Sequence, residues 1–182
     1  MNKGYCKRVP LVTRSEDLAS DKRKFFDDVA SLYEGQAIGG PFRILLHSPD
    51  LASRIAHTAF YVRFETSLPK DVYELVVLTA TRELDCKYAW KVHEVTAAKE
   101  GVRKEAVEAI RDGKAPQGLN EDEALVFKYV QELLRTHRVS ESTFQKALKK
   151  FGLQRLVDLT ATIGHYGTLA CILNAFEVEP NR

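Results

Sequence analysis

Apolar residues recur at helical spacing along most of this chain, and the residues that interrupt them are themselves spaced at helical lengths. No segment shows sustained alternation of apolar and polar residues, and no low-complexity tract occurs. The pattern predicts an all-α bundle. Residues 1–16 read as an irregular leader. A first helix is expected from Ser15, its cap, through Leu18, Phe25, Val29 and Leu32, ending at Gly35 and Gly39–Gly40–Pro41. Ser48 with Pro49 opens the next long helix, with Leu51, Ile55, Ala56, Ala59 and Val62 as apolar positions. Pro69 starts another, with Tyr73, Val76, Val77, Ala80 and Leu84 on a wide buried face, and Asp85 caps its successor. A short helix ends near Gly113, Asn120 caps the following one, and Ser140 opens a segment that stops near Gly152. The last helical region carries Gly164 and Gly167, which permit close packing.

Composition narrows the class. With 182 residues, 45% hydrophobic, the chain suffices for one sizeable domain. A formal charge of +2 gives no reason to expect nucleic acid. No run approaches roughly 20 predominantly apolar residues, so no membrane-spanning helix is expected, and the N-terminus lacks an apolar targeting core. Cys6, Cys86 and Cys171 are too few and too scattered for a disulfide scaffold, which fits a reduced, cytoplasmic protein.

Chemistry concentrates in Glu74 through His93, ELVVLTATRELDCKYAWKVH. Cys86 and His93 are seven residues apart, two turns on one side of a helix, with Ala89 and Trp90 between them. Cys86 opens that helix, where free backbone N–H groups and the dipole favour thiolate. Glu74 lies across the preceding break, so a turn can bring it toward His93. A carboxylate beside an imidazole can orient it or exchange protons with it. A nearby cysteine can act as a nucleophile or simply pack. Tyr88 and Trp90 can line a substrate pocket or fill a helix interface. Arg82 or Arg63 can hold an acidic substrate or sit in a solvated ion pair. His165 and Tyr166 can complete the pocket, although His165 also fits a hydrogen-bonded structural histidine. His47, His57 and His137 have no ligand-like neighbours. No zinc spacing, phosphate loop or dinucleotide fingerprint occurs, so neither metal nor cofactor is expected. Lys146, Lys149 and Lys150 read as a solvated helix face.

Residues 43–178 resemble the carboxymuconolactone decarboxylase and alkylhydroperoxidase D-like superfamily. The resemblance rests on LLHSPDLA, YELVVLTATRELDCKYAWKVHEVTAAKEGV and FGLQRLVDLTATIGHYGTLACILNAF. It implies a single-domain helical bundle over residues 41–180 preceded by an extension, residues 1–40. It also implies a homo-oligomer, trimer or hexamer, with small-molecule pockets near the subunit contacts. Redox members carry a glutamate, a Cys-x-x-Cys pair twelve residues later, and a histidine four residues after the second cysteine. Glu74, Cys86 and His93 match, but the second cysteine falls on Ala89, which cannot form or resolve a disulfide. A dithiol peroxidase is therefore disfavoured. The decarboxylase branch implies a lyase or proton-transfer enzyme acting on an unsaturated carboxylated lactone, with His93 and Glu74 at its centre. The segment CKYAWKVH departs from that branch's basic, glycine-rich pattern around the histidine. The alternatives are a single-cysteine peroxidase or other thiol-dependent oxidoreductase, and a noncatalytic oligomeric binding protein.

Overall fold

The computed structural model describes residues 5–33, 38–113 and 117–180. The helices are α1 (Arg23–Ser31), α2 (Gly40–Leu45), α3 (Pro49–Phe60), α4 (Lys70–Glu83), α5 (Lys87–Lys99), α6 (Lys104–Arg111), α7 (Glu121–Thr136) and α8 (Glu141–Ala175). A π-helical turn, Tyr61–Glu65, extends α3. The all-α expectation holds apart from one two-residue antiparallel pairing, Tyr5–Cys6 (β1) with Val178–Glu179 (β2). The chain forms two compact units, residues 1–65 with 171–182, and residues 66–170.

In the first unit α1 and α2 pack on α3, and β1 pairs with β2. Three expectations change here. The first helix begins at Arg23, not Ser15, because the Asp17 carboxylate gathers the Thr13 and Arg14 backbone N–H groups into a local 3-10 turn. Those donors, Thr13 first, hold the Asp17 carboxyl at about 2. Gly39 and Pro41 open α2 instead of ending a helix, since proline costs nothing in a first turn whose N–H groups have no intrahelical partner; Gly35 lies outside the described residues. Ser48 does precede α3, but its side chain makes no capping bond. Leu51 is 46% exposed, not core, whereas Ala56 and Val62 are buried.

In the second unit α4 is the central element, packed against α5, α6 and α7. Nine consecutive residues, Tyr73–Thr81, are buried, so the helix is covered all round. Helices surrounded in this way must satisfy any polar side chain internally. Thr79 and Thr81 accordingly donate to the carbonyls of Leu75 and Val77. α4 ends in a Schellman turn, with the Cys86 N–H on the Thr81 carbonyl and the Asp85 N–H on that of Arg82. Asp85 occupies the left-handed position of that turn (φ 47°), so it terminates α4, and Cys86 caps α5 in its place. Asn120 opens α7 as expected, with reciprocal Asn120–Glu123 capping bonds.

α8 is broken at Gly152 (φ 76°, ψ 166°), at the expected stop. Beyond the kink Leu156, Leu159, Ile163, Tyr166 and Leu173 form one buried stripe. The expectation that no segment approaches membrane-spanning length is corrected here. By length and composition α8 could cross a bilayer, yet 56% of its apolar window is buried within the protein. Its hydrophobicity therefore serves the core. A Cβ at Gly164 or Gly167 would meet nothing within 4 Å, so neither glycine supports a close helix approach within the chain.

Candidate active site

The site begins with a packing problem. Glu74 (3% exposed) and His93 (7% exposed) lie in the core of the second unit, where an unpaired charge or polar ring is costly. The turn between α4 and α5 folds one helix back on the other, and each group finds the other. His93 Nδ1–H donates to Glu74 Oε2 at 2.8 Å. The opposite nitrogen, Nε2, is 2.9 Å from the Tyr166 hydroxyl, carried by α8. That hydroxyl lies 2.7 Å from the hydroxyl of Tyr73, the neighbour of Glu74 on α4. The four groups form one line: carboxylate, imidazole, phenol, phenol.

This line has two proton arrangements. With His93 neutral and Nδ1–H on Glu74, Nε2 accepts from Tyr166, which in turn accepts from Tyr73. When the ring takes a second proton, Nε2–H donates to Tyr166 and the tyrosine donates onward to Tyr73. A proton arriving at Tyr73 thus reaches His93 by hydroxyl reorientation and two short transfers. The rings are set edge to face, His93 to Tyr166 at 5.1 Å and Tyr73 to Tyr166 at 6.3 Å, which limits their rotation.

His93, Glu74 and Tyr166 are therefore brought together. The sequence pattern places Tyr73 only on a buried helix face, although a phenol there needs a partner for its hydroxyl, a signal that points to it. Among the described residues His165 makes no hydrogen bond of the kind a structural histidine would. Its ring stands edge-on to Tyr166 at 5.6 Å, and burial pushes its pKa down to about 4. Arg82 is exposed at the end of α4 and donates to the Arg111 carbonyl at 3.3 Å. Arg63 lies in the first unit, over the Phe64 ring. Tyr88 is buried and Trp90 half-buried on α5. A cavity of about 220 Å³ opens beside the start of α4, lined in part by Asp71, Val72 and Leu75. Its cations Arg103 and Lys150 already face Glu123 and Asp122. Among the described residues no three of His, Cys, Asp and Glu gather as metal ligands.

Cys86 departs most from expectation. It is 1% exposed, and among the described residues its sulfur makes no hydrogen bond to Glu74 or His93. Burial raises its pKa, the Asp85 charge raises it further, and the Ala89 N–H opposes both only in part. Desolvation outweighs the helix start, so the thiol is favoured over the thiolate. No second sulfur lies one turn on, because buried Ala89 occupies that position. All three cysteines are free; Cys6 donates to the Phe176 carbonyl at 3.0 Å and Cys171 is exposed. In the folded protein at pH 8, iodoacetamide should therefore modify Cys171 first and Cys86 last, as read by peptide mass spectrometry. Early labelling of Cys86 would show an activated thiolate instead.

Fold and site together define an all-helical protein with a buried Glu–His pair and one cysteine where a redox helix would need two. Residues 49–132, which include Glu74, Cys86 and His93, match the model of the carboxymuconolactone decarboxylase family. That segment is just under half of the chain, and among the described residues no second cysteine pairs with Cys86. Among solved structures it is similar to an alkylhydroperoxidase AhpD core, a peroxidase-related protein from Ralstonia eutropha JMP134 (TM-score 0.76, 18% identity, 97% of this chain and 93% of that one). It is also similar to the debrominase Bmp8, as a cysteine-to-alanine variant in complex with 2,3,4-tribromopyrrole (TM-score 0.74, 12% identity, 97% and 94%). A third is a peroxidase-related protein from Silicibacter sp. TM1040 (TM-score 0.73, 14% identity, 100% and 95%). At these identities the likeness concerns the fold. Comparison with curated protein sequences finds no match.

Proposed function

We propose that this protein is a small-molecule proton-transfer enzyme of the lyase class, acting on an unsaturated carboxylated lactone. The observation that carries the reading is the engagement of both His93 nitrogens, by Glu74 on one side and by Tyr166 on the other. In the proposed reaction the substrate carboxylate leaves as CO₂ and its bonding electron pair passes into the conjugated system. A proton from the Tyr73–Tyr166–His93 line then reaches carbon, and solvent restores it. Glu74 orients the ring and stabilises its protonated form. Tyr88, Trp90, Arg82 and His165 remain proposed substrate-side residues, completed by a neighbouring subunit in a trimer or hexamer. Exposed, uncharged positions on α8, including Leu153 and Val157, support such an assembly. On this reading residues 41–180 are the catalytic domain, residues 1–40 an extension, and a reducing cytoplasm keeps the thiols free.

A second reading makes Cys86 the reactive group of a thiol-dependent oxidoreductase. The structural likeness to a debrominase studied as a cysteine-to-alanine variant favours it; the buried, neutral-favouring thiol counts against it. One screen separates the two, presenting unsaturated carboxylated lactones, peroxides and, with added thiol, bromopyrroles to wild type, His93→Ala and Cys86→Ser. The lyase reading expects lactone turnover to fall by about 10²–10⁴ in His93→Ala and to stay near wild type in Cys86→Ser. Turnover that survives His93→Ala removes the histidine from its role. Turnover lost only in Cys86→Ser moves the chemistry to sulfur.

A further inference from the structure

Lys146, Lys149 and Lys150, a solvated face by sequence, border a groove that the proton-transfer site does not use. It runs between α7 and the part of α8 before the Gly152 kink, and measures about 830 Å³. Half-buried Ala124 and Leu125 form its floor with buried Thr143. Lys128 stands on the α7 side and the three other lysines on the α8 side. Their methylene stems extend the apolar floor while the ammonium groups stay in water. The charges are unequally engaged. Lys150 is paired with Asp122, and Lys128 with Glu132 at 3.6 Å. Among the described residues Lys146 and Lys149 make no hydrogen bond or ion pair. They are one helical turn apart and project to the same side. Glu121 and Asp122, in the first turn of α7, place negative charge at one end of the groove.

We infer that this groove docks an acidic amphipathic helix of a partner protein. Charge complementarity argues for that occupant. A helix lying in such a groove turns an apolar face inward and anchors through side chains three and four residues apart. Two unengaged ammonium groups one turn apart match carboxylates one turn apart on that helix. A small anion would reach the ammonium groups and leave the apolar floor uncovered. A flat anionic bilayer would lie across the rim, against Glu121, without entering the groove. The α8 wall from Thr143 to Lys150 is about 10 Å long at the helical rise, so the contact covers roughly two turns of the partner. A footprint of that size gives a weak, salt-sensitive contact in which charge sets orientation and encounter. Glu121 repels carboxylates at its end, which directs the partner's acidic turn toward Lys146 and Lys149.

The test titrates the full-length protein with a synthetic helix of about 14 residues, roughly four turns. One version carries a leucine face flanked by glutamates, and a second has glutamine in place of each glutamate. Affinity is read by fluorescence anisotropy and location by amide NMR shifts. The glutamate peptide should bind about fivefold more tightly than the glutamine peptide at low salt, as expected of two exposed ion pairs. That advantage should vanish near about 1 M salt, and the shifts should map to α7 and to α8 before its kink. Lys146→Glu combined with Lys149→Glu, both exposed positions, should reverse the preference toward a lysine version of the peptide. Absence of binding by the glutamate peptide, equal affinity of the first two peptides, or a preference unchanged in the double variant would each overturn the assignment. So would anionic phospholipid vesicles that bind where the peptide does not, or self-association lost in the double variant, since the groove would then face a membrane or a second copy.

Discussion

Replacing Glu74 with alanine will lower the free energy of unfolding by about 3–5 kcal/mol, the cost of leaving one member of a buried pair without its partner. Glu74 and His93 are both buried, and the 2.8 Å bond between them satisfies the His93 Nδ1–H. Alanine leaves that buried donor without its acceptor. Glu74→Gln keeps the shape and the acceptor oxygen but loses the charge assistance, so its cost should be smaller, about 1–3 kcal/mol. Tyr166→Phe removes a neutral hydroxyl from the other side of the ring and should cost less than Glu74→Ala. Urea titrations of the three variants, compared at their midpoints with unchanged slopes, give the ranking directly. An alanine variant within experimental error of wild type would mean that water enters the site and that the proton line is not sealed.

Acid will destabilise the protein through His165. Its folded pKa is pushed down to about 4 from an ordinary value of 6.5, because burial disfavours the charged ring. Below pH 6.5 the unfolded chain therefore binds a proton that the folded chain refuses. Stability falls as pH drops through this window and levels off below about 4, where the folded form also takes the proton. The full loss is about 3 kcal/mol for a shift of this size. Paired carboxylates elsewhere, among them Glu83, Glu123 and Asp28, also weaken in acid. The informative quantity is thus the difference between wild type and His165→Gln, measured in urea from pH 7 to pH 4. That difference should change by about 3 kcal/mol across the window, and a flat difference would show that the histidine is hydrated in the folded state.

Much of the helical architecture was legible because its signals are local. The Asn120 cap with Glu123 three residues on, the Gly152 break and the α4–α5 turn each depend on a few adjacent residues. The Glu74–His93 pairing was legible for a related reason, since a short turn between two helices leaves few ways to return a carboxylate to an imidazole. Boundaries failed where a side chain competed with the helix. Asp17 drew backbone donors into a 3-10 turn, and Asp85 took the left-handed position that ends α4. Leu51, Leu153 and Val157 fit an apolar pattern yet stand exposed. Periodicity identifies a face, whereas burial depends on what packs against it.

Local signals along the chain were enough for the all-helical class, several helix ends, the candidate Glu74–His93 pairing and the lack of a second sulfur one turn after Cys86. What those residues can do depended on packing between distant segments. It carried Tyr166 from the last helix to the free nitrogen of His93 and set Tyr73 behind it, contacts spanning 73 and 93 residues of chain. It also enclosed Cys86 so fully that desolvation overrides the pull of the helix start. Local chemistry follows from neighbours along the chain, but protonation follows from the dielectric around a group, and packing from distant segments sets that.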